Sequence, residues 1–287
     1  MDRPLSIVIF SKDRAAQLDL CLSSIYKNLA ALEDTWKIHV IYTSSSTEFE
    51  MGYDSLKYDW DYSWLYFHQE SVYGGFKQSL ENAMEEWGPY VLFFTDDDII
   101  YKKFEHDWNF LIEHVNETLF CLSFRLGSNT FIQDQYRNTN CIIPDEVILG
   151  EETIKTWNWK TQEKDTNFAY PFAVDGHMFE SQTAKRIIKN TVGYDNPNSL
   201  EGKAQHSVKD IIDVLPDMMG CFNTSIVINT PINRVQETCT NTAGVFFGDS
   251  AERLNEEFLS GKKLSLTQMD FSTVIGVHQE IKLKWET

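Results

Sequence analysis

Three consecutive aspartates, Asp96, Asp97 and Asp98, follow the strongly apolar run at residues 90–95. Aspartate is a poor strand residue, and adjacent carboxylates repel one another unless a cation lies between them. Oxygen ligands of this kind suit Mg²⁺ or Mn²⁺, and such an ion can bridge to a diphosphate. The sequence therefore predicts a metal and diphosphate site at this point. The structural alternative is that Asp98 begins the helix that follows.

Two basic residues are placed where they could contact the same diphosphate. Lys77 lies at the start of a predicted helix after Gly74 and Gly75, and helix N-termini attract phosphate. Arg125 is a basic residue in an apolar stretch beyond the aspartates. For each of them an ordinary salt bridge is the alternative.

Strands and helices alternate along the first hundred residues. The predicted strands are 5–10, 37–42, 64–67 and 90–95, and the predicted helices cover 18–29 and 76–87. This alternation is typical of βαβ units around a parallel sheet. Ligands bind beyond the carboxyl ends of strands in such sheets, so Asp13 and the three aspartates should face one crevice.

The second half alternates less regularly. We expect strands at 120–124, 173–179 and 225–229, and helices at 182–189 and after Asp249-Ser250, the last with Leu254, Phe258 and Leu259 facing inward. We predict one catalytic domain at residues 1–230, and a C-terminal extension at 231–287 that packs on it.

The composition excludes several classes of partner. Forty-three acidic against 25 basic residues give a net charge of −18, which repels nucleic acid and anionic lipid. The five cysteines are widely spaced, as expected in a reducing compartment. No stretch has the ~20 apolar residues of a transmembrane segment, and the N-terminus is unlike a signal peptide. We therefore expect a cytoplasmic protein.

The segments Ser-Ile-Val-Ile-Phe-Ser-Lys-Asp-Arg at 6–14 and Phe-Phe-Thr-Asp-Asp-Asp-Ile at 93–99 resemble GT-A glycosyltransferases, especially family-2-like enzymes. The resemblance covers roughly residues 5–230 in element order. It implies an α/β fold with a mixed, mostly parallel sheet flanked by helices. It also implies transfer of a sugar from a nucleoside-diphosphate sugar to a hydroxyl of a glycan or glycolipid, assisted by Mn²⁺ or Mg²⁺.

The donor residues implied by the resemblance lie in two places. In that family the first loop holds the base and ribose, which corresponds here to Lys12, Asp13 and Arg14. The first acid of the aspartate motif usually faces the ribose and the last one the metal, which corresponds to Asp96 and Asp98. Asp97 is left between the two roles, and we count it with the donor-binding residues.

The family also has a glycine-containing strand on the acceptor side and an acidic residue near a later helix start. Residues 175–179 resemble the first, so His177 could contact the acceptor. Glu201 resembles the second, although Gly202 stands where the family has another acid. An inverting transfer needs a carboxylate base, and we choose Glu201 first and Asp175 second. The alternatives are a helix N-terminal acid for Glu201 and a turn residue for Asp175.

GT-A enzymes often add a C-terminal histidine to the metal shell, and His278 resembles that position by order alone. A surface histidine on a terminal strand is the alternative. The polar stretch 237–249 could close over the donor.

Two other functions compete with this hypothesis. A haloacid-dehalogenase-type phosphatase also has Asp-x-Asp after a strand, but near its N-terminus, and residue 100 is Ile instead of the usual Thr or Val. The other alternative is a non-catalytic module that binds a nucleotide sugar or glycan. Loss of an acid from the triplet would favour it, and this chain keeps all three.

Overall fold

The chain folds around one nine-stranded sheet, seen in a computed structural model that describes residues 3–32, 34–71, 75–115, 117–134, 139–144, 147–149, 154–162, 166–236 and 243–286. The strands are β1 Leu5–Lys12, β2 Trp36–Thr43, β3 Leu65–Gln69, β4 Tyr90–Thr95, β5 Asp98–Ile100, β6 Leu119–Ser123, β7 Ile132–Asp134, β8 Thr139–Asn140, β9 Val147–Leu149, β10 Ile154–Asn158, β11 His177–Glu180, β12 Met218–Phe222 and β13 Val227–Asn229. The α-helices are α1 Ala15–Asn28, α2 Thr47–Asp59, α3 Gly75–Met84, α4 Trp108–His114, α5 Ser181–Asn190, α6 Pro197–Asp210 and α7 Ala251–Leu259.

The strand order of the large sheet is β3-β2-β1-β4-β11-β6-β12-β10-β9. β3, β2, β1 and β4 pair in parallel, and only β11 and β10 run against the direction of the other strands. The predicted α/β fold with a mixed, mostly parallel sheet is therefore confirmed.

Both faces of the sheet are covered, which explains why four consecutive residues in the middle of its first strand, Ile7 to Phe10, are apolar. Ile7 and Ile9 belong to one core cluster, whereas Val8 and Phe10 belong to a second core cluster. Successive side chains of a strand point to opposite faces, so a strand buried on both sides must be apolar throughout.

One edge of this sheet collects the carboxyl ends of β1, β4 and β6. β1 and β4 are in parallel register, with Phe10 opposite Thr95, so the residues after both strands are neighbours. β11 runs antiparallel between β4 and β6, and its start therefore lies at the edge where they end. The Gly176 N–H, just before β11, donates to the Phe93 carbonyl at 2.7 Å.

Asp98 does not begin a helix. It is the first residue of the short strand β5, which pairs antiparallel with β13 and sets Asp98 opposite Asn229. The next helix, α4, begins ten residues later at Trp108, and its N-cap is Asp107. The helix-start alternative for Asp98 is therefore wrong, because β13 provides a long-range strand partner that a local pattern does not reveal.

Two predicted details of the second half are also corrected. Regular strand structure begins at His177 and not at residue 173, because the left-handed Gly176 interrupts the extended chain. In α7, Leu254 and Phe258 are buried as predicted, but Leu259 is 37% exposed at the end of the helix. Ser250 caps α7 by accepting a hydrogen bond from the Arg253 N–H.

The segment after residue 230 returns to the sheet edge just described. Residues around His278 form a bridge with Asn229, and α7 packs against α1 and α2. Part of the predicted closing loop, residues 237–242, lies outside the described residues, as do Gly74 and Cys239. Within the described ranges, no helix has the length and apolar character to cross a membrane.

Candidate functional site

The first two aspartates of the triplet share one buried arginine. Arg14 Nη1 lies 2.9 Å from Asp96 Oδ1 and 2.9 Å from Asp97 Oδ2. Asp96 Oδ2 also accepts hydrogen bonds from Ser11 Oγ at 2.9 Å and from the Lys12 N–H at 3.2 Å. The loop after β1 thus contacts the acids after β4 directly, as the adjacent carboxyl ends require.

Asn229 connects the second and third aspartates. Its Nδ2 donates to Asp97 Oδ1 at 2.8 Å and to Asp98 Oδ1 at 3.0 Å. The other oxygen of Asp98 accepts from the Thr95 N–H at 2.7 Å. The sequence did not identify Asn229 as a site residue, although it begins the unusual polar stretch Asn-Thr-Pro-Ile-Asn-Arg between strand-like segments.

Burial governs the protonation of these acids. Burial and then the neighbouring Asp175 and Asp97 raise the pKa of Asp98 well above its ordinary value. Burial also raises the pKa of Asp96, to about 6, against the opposing effect of Arg14. A carboxylate at Asp98 is thus costly to ionise without further positive charge.

Asp175 forms a second centre at the same edge. It is paired with the buried Arg125, and its Oδ2 lies 2.9 Å from His278 Nε2. Burial alone would raise the pKa of Asp175, but Arg125 and His278 outweigh it and keep that pKa below its ordinary value. The second oxygen, Oδ1, is buried and has no hydrogen-bond partner among the residues that the structure describes. Gly176 has φ +69°, and a Cβ there would lie 3.1 Å from the Arg125 Cβ, so this turn favours glycine.

Glu201, near the start of α6, lies beside this second centre. Its Oε2 accepts from the Val174 N–H at 2.9 Å. Burial and then the nearby charge of Glu201 raise the pKa of Tyr170. Burial and then the charge of Asp175 raise the pKa of Glu201 to about 7, which Arg125 partly offsets. Glu201 is half-buried, so a partner can reach it, and it can exchange a proton near neutral pH.

A cavity of about 310 Å³ is lined by Asp13 and by Asn233, the residue that Arg14 connects to Asp96 and Asp97. Its walls come from the ends of β1 and β2, from the first turn of α2, from the segment after β13 and from the start of α7: Asp13, Ser45, Phe49, Asn233, Arg234, Val235, Ser250, Ala251 and Glu252. Asp13 has φ 57° and accepts from the Ser45 N–H at 2.6 Å. A left-handed aspartate is a strained conformation of the kind that clusters at ligand sites.

Arg14 also links the cavity to the aspartates. Its Nε donates to Asn233 Oδ1 at 2.7 Å, and its Nη2 contacts the Asn233 carbonyl. Asn233 in turn donates to the Asp249 carbonyl at 3.1 Å, just before α7. One guanidinium therefore holds the acids of β4 and the cavity wall in a fixed relation.

The remaining predicted residues lie in different surroundings. His177 is 0% exposed in β11, so contact with an acceptor does not fit its position. Lys77 is exposed, with its Nζ 3.8 Å from Glu81 Oε1 and 5.7 Å from the ring centre of Tyr194, as the salt-bridge alternative describes. The Lys12 side chain is exposed at the end of β1.

The fit of a divalent cation can be judged from the donor atoms. Asp98 and Asp175 repel each other, one buried oxygen of Asp175 lacks a partner among the described residues, and the His278 imidazole is adjacent. The two carboxylates fit Mn²⁺ or Mg²⁺ by ligand type. Within the described part of the chain, however, no three His, Cys, Asp or Glu side chains are grouped closely enough to hold an ion. Binding would therefore require side-chain movement, beginning with Arg125.

No protein-family model matches the sequence, and comparison with curated proteins finds no match. Among solved structures, GalNAc-T7 with UDP, GalNAc and Mn²⁺ is similar at 13% identity and TM-score 0.45, over 90% of this chain and 48% of that chain. Mannosyltransferase PcManGT from Pyrobaculum calidifontis, with GDP-Man and Mn²⁺, is similar at 14% identity and TM-score 0.32, over 42% and 34%.

The galactosyltransferase LgtC, in complex with donor and acceptor sugar analogues, is similar at 14% identity and TM-score 0.35, over 73% of this chain and 66% of that chain. The match thus spans about half of the GalNAc-T7 chain and a third of the mannosyltransferase chain. Similarity at this level leaves the activity to be argued from the residues of this chain.

Proposed function

We propose that the protein is a glycosyltransferase that moves a sugar from a nucleoside-diphosphate sugar to a hydroxyl of a glycan or glycolipid acceptor. The observation that carries this proposal is the position of Glu201. A carboxyl group with a pKa of about 7 lies beside the Asp98–Asp175 centre, at the sheet edge that also bears the Asp13 cavity. The proposed donor site, the Asp98–Asp175 centre and the proposed base therefore lie at the same edge of the sheet.

The nucleoside of the donor would occupy the cavity of about 310 Å³. Phe49 offers an apolar wall, and the carboxylate of Asp13 can accept hydrogen bonds from ribose hydroxyls. Arg234 brings a guanidinium to the same cavity, suited to phosphate oxygens. The diphosphate would then extend toward the aspartates after β4.

The cation would be held by Asp98 and His278, with Asp175 between them. Asp96 was predicted as a metal ligand, but Arg14 Nη1 already lies 2.9 Å from its Oδ1 and neutralises it. Asp96 therefore remains a proposed contact of the sugar-nucleotide donor and not of the metal. When bound, Mn²⁺ or Mg²⁺ supplies positive charge to the departing nucleoside diphosphate. Arg234, which lines the cavity, can stabilise the same negative charge from the protein side.

Glu201 is proposed as the base of an inverting transfer. Its carboxylate takes the proton of the acceptor hydroxyl as that oxygen bonds to the anomeric carbon. The bond from the anomeric carbon to the diphosphate breaks, and the electron pair leaves with the nucleoside diphosphate. Asp175 is less suited to this role, since Arg125 and His278 lower its pKa and occupy its Oδ2.

A nucleotide-sugar-binding module without catalysis is the second candidate. Arg14 pairs with Asp96 and Asp97 inside the protein, and Arg125 pairs with Asp175. This candidate is favoured because acids that already have a counter-charge do not require a catalytic cation. A phosphatase of the haloacid-dehalogenase type is less consistent with the site. Its aspartate nucleophile must be free to attack the substrate, whereas Asp96 is 3% exposed and its Oδ1 is paired with Arg14 Nη1 at 2.9 Å.

The deciding experiment incubates the protein with a panel of nucleotide sugars and Mn²⁺, and measures release of nucleoside diphosphate together with thermal stabilisation. We expect one donor to stabilise the protein and to be hydrolysed slowly, with both effects lost on removal of the metal. Stabilisation without turnover, even with a range of glycan acceptors, would favour the binding module. Phosphate release from a simple ester, with all nucleotide sugars inert, would overturn the proposal.

A further inference from the structure

A tight turn beside the site presents three consecutive apolar side chains to solvent. Val245, Phe246 and Phe247 are 51%, 51% and 45% exposed. The turn lies between Gly244 and Gly248, and a Cβ on Gly244 would lie 2.6 Å from the Ile232 carbonyl oxygen. Exposed apolar residues are common singly, but a run of three is unusual outside a binding surface.

A buried carboxylate fixes this turn. Glu280 is 4% exposed, and it accepts hydrogen bonds from the Val245, Phe246 and Phe247 N–H groups at 2.8, 2.8 and 2.7 Å. Successive N–H groups that converge on one anion form a rigid backbone nest. The three side chains are therefore held in place at the surface by a specific interior contact.

The turn is connected to the segment that supplies His278. Glu280 is two residues from His278, and the segment carrying both pairs with Asn229 on either side of His278. The Glu280 contacts therefore fix the apolar turn close to the segment from which His278 reaches Asp175.

A second apolar surface lies at the other end of the same segment. Ile275 and Phe131 are 36% and 41% exposed, and the Ile132 N–H donates to the Ile275 carbonyl at 3.0 Å. Exposed apolar side chains thus lie near the segment that supplies His278 both before and after that residue along the chain. We call this surface, made of Phe131, Val245, Phe246, Phe247 and Ile275, the apolar rim.

We propose that the apolar rim binds an alkyl chain attached to the sugar acceptor, so that the acceptor is an amphiphilic glycoside and not a purely hydrophilic glycan. This inference rests on the proposed function for the identity of the acceptor. Continuity with His278 favours an occupant that also enters the catalytic centre. A bilayer surface is disfavoured by the net charge of −18, which repels anionic lipid.

The test measures binding of octyl β-glucoside and methyl β-glucoside, both as monomers below the micellar concentration, by titration calorimetry. We expect the intact protein to bind the octyl compound at least about tenfold more tightly, because the added methylene groups lose water contact on the rim. The variant V245S/F246S/F247S should bind both compounds equally. The control M51S/V192S/V214S removes three exposed apolar side chains elsewhere and should retain the preference.

Glu280→Gln provides a second variant with the rim side chains intact. Loosening of the nest should reduce the octyl preference without abolishing it, with unchanged circular dichroism. Equal binding of the two compounds by the intact protein would overturn the proposal, as would loss of the preference in the control variant. If the intact protein floats with phosphatidylcholine vesicles and the variant V245S/F246S/F247S does not, the apolar rim binds a bilayer and the proposal of an alkyl glycoside is wrong. Because binding is measured without a nucleotide sugar, the binding result can be interpreted even if the protein does not transfer sugar.

Discussion

His278 Nε2 lies 2.9 Å from Asp175 Oδ2, although 103 residues separate the two in the chain. The two ends of this contact differ in environment, because the side chain of His278 is 47% exposed and that of Asp175 is 8% exposed. The contact therefore connects solvent to the buried pair of Asp175 and Arg125. This is the point at which we expect donor, cation and acceptor to meet.

Asp175→Asn should destabilise the protein by about 3–5 kcal/mol, because it leaves the Arg125 guanidinium buried without a counter-charge. The double variant R125M/D175N should recover much of that loss. Urea denaturation of the two single variants and the double variant measures the coupling. A loss in the double variant equal to the sum of the two single losses would show that the pair is not coupled in the folded protein.

Asp98→Asn should remove the thermal stabilisation by MnCl₂ with a nucleoside diphosphate, because it takes away a proposed carboxylate ligand of the cation. For the natural protein we expect about 5 °C at a ligand concentration of 100 Kd. The control Asp54→Asn changes an acid whose side chain is 64% exposed, and it should keep this shift.

Glu201→Gln should abolish the acid limb of the pH profile of kcat/KM, because the base must lose its proton, at a pKa of about 7, before transfer. We expect kcat to fall by about 10²–10⁴-fold, with nearly unchanged donor affinity. Normal turnover in this variant would exclude Glu201 as the base, and Asp175→Asn would then be tested in its place.

The same residue makes a prediction about stability. The pKa of Glu201 is raised from 4.5 to about 7 in the folded protein, so the folded state binds more protons than the unfolded state between these values. The free energy of unfolding should therefore fall as the pH rises from 4.5 to 7. Glu201→Gln should flatten this part of the profile in urea denaturation, and an unchanged slope would contradict the assigned pKa.

Arg14→Ala should cost about 3–5 kcal/mol, because two buried carboxylates lose their shared cation. The loss should be smaller at pH 5 than at pH 8, since Asp96, whose pKa burial raises to about 6, can then be neutralised by a proton. Arg253→Ala is the matched control. Its partner is Asp249 and its side chain is 63% exposed, so we expect a change below about 1 kcal/mol. A loss independent of pH would argue against a charge effect at Arg14.

Local patterns in the sequence determined the framework of the site. Alternating apolar runs and helical periods predicted the parallel strands β1 to β4, and the abrupt change from apolar residues to three aspartates predicted an acidic edge at the end of β4. The position of Asp13 beside that edge followed as well, because neighbouring parallel strands end together. These features are encoded within short stretches of chain.

Tertiary structure alone decided which charges meet. The sequence predicted that the aspartates need a cation, but it did not show that Arg14 would pair with two of them or that Asn229 would bridge to the third. The order of motifs along the chain pointed to His278 as a site residue. The contact of His278 with Asp175, however, depends on β11 running antiparallel between β4 and β6. Such pairings depend on the packing of segments far apart in the chain, and hydrophobic periodicity carries no information about them.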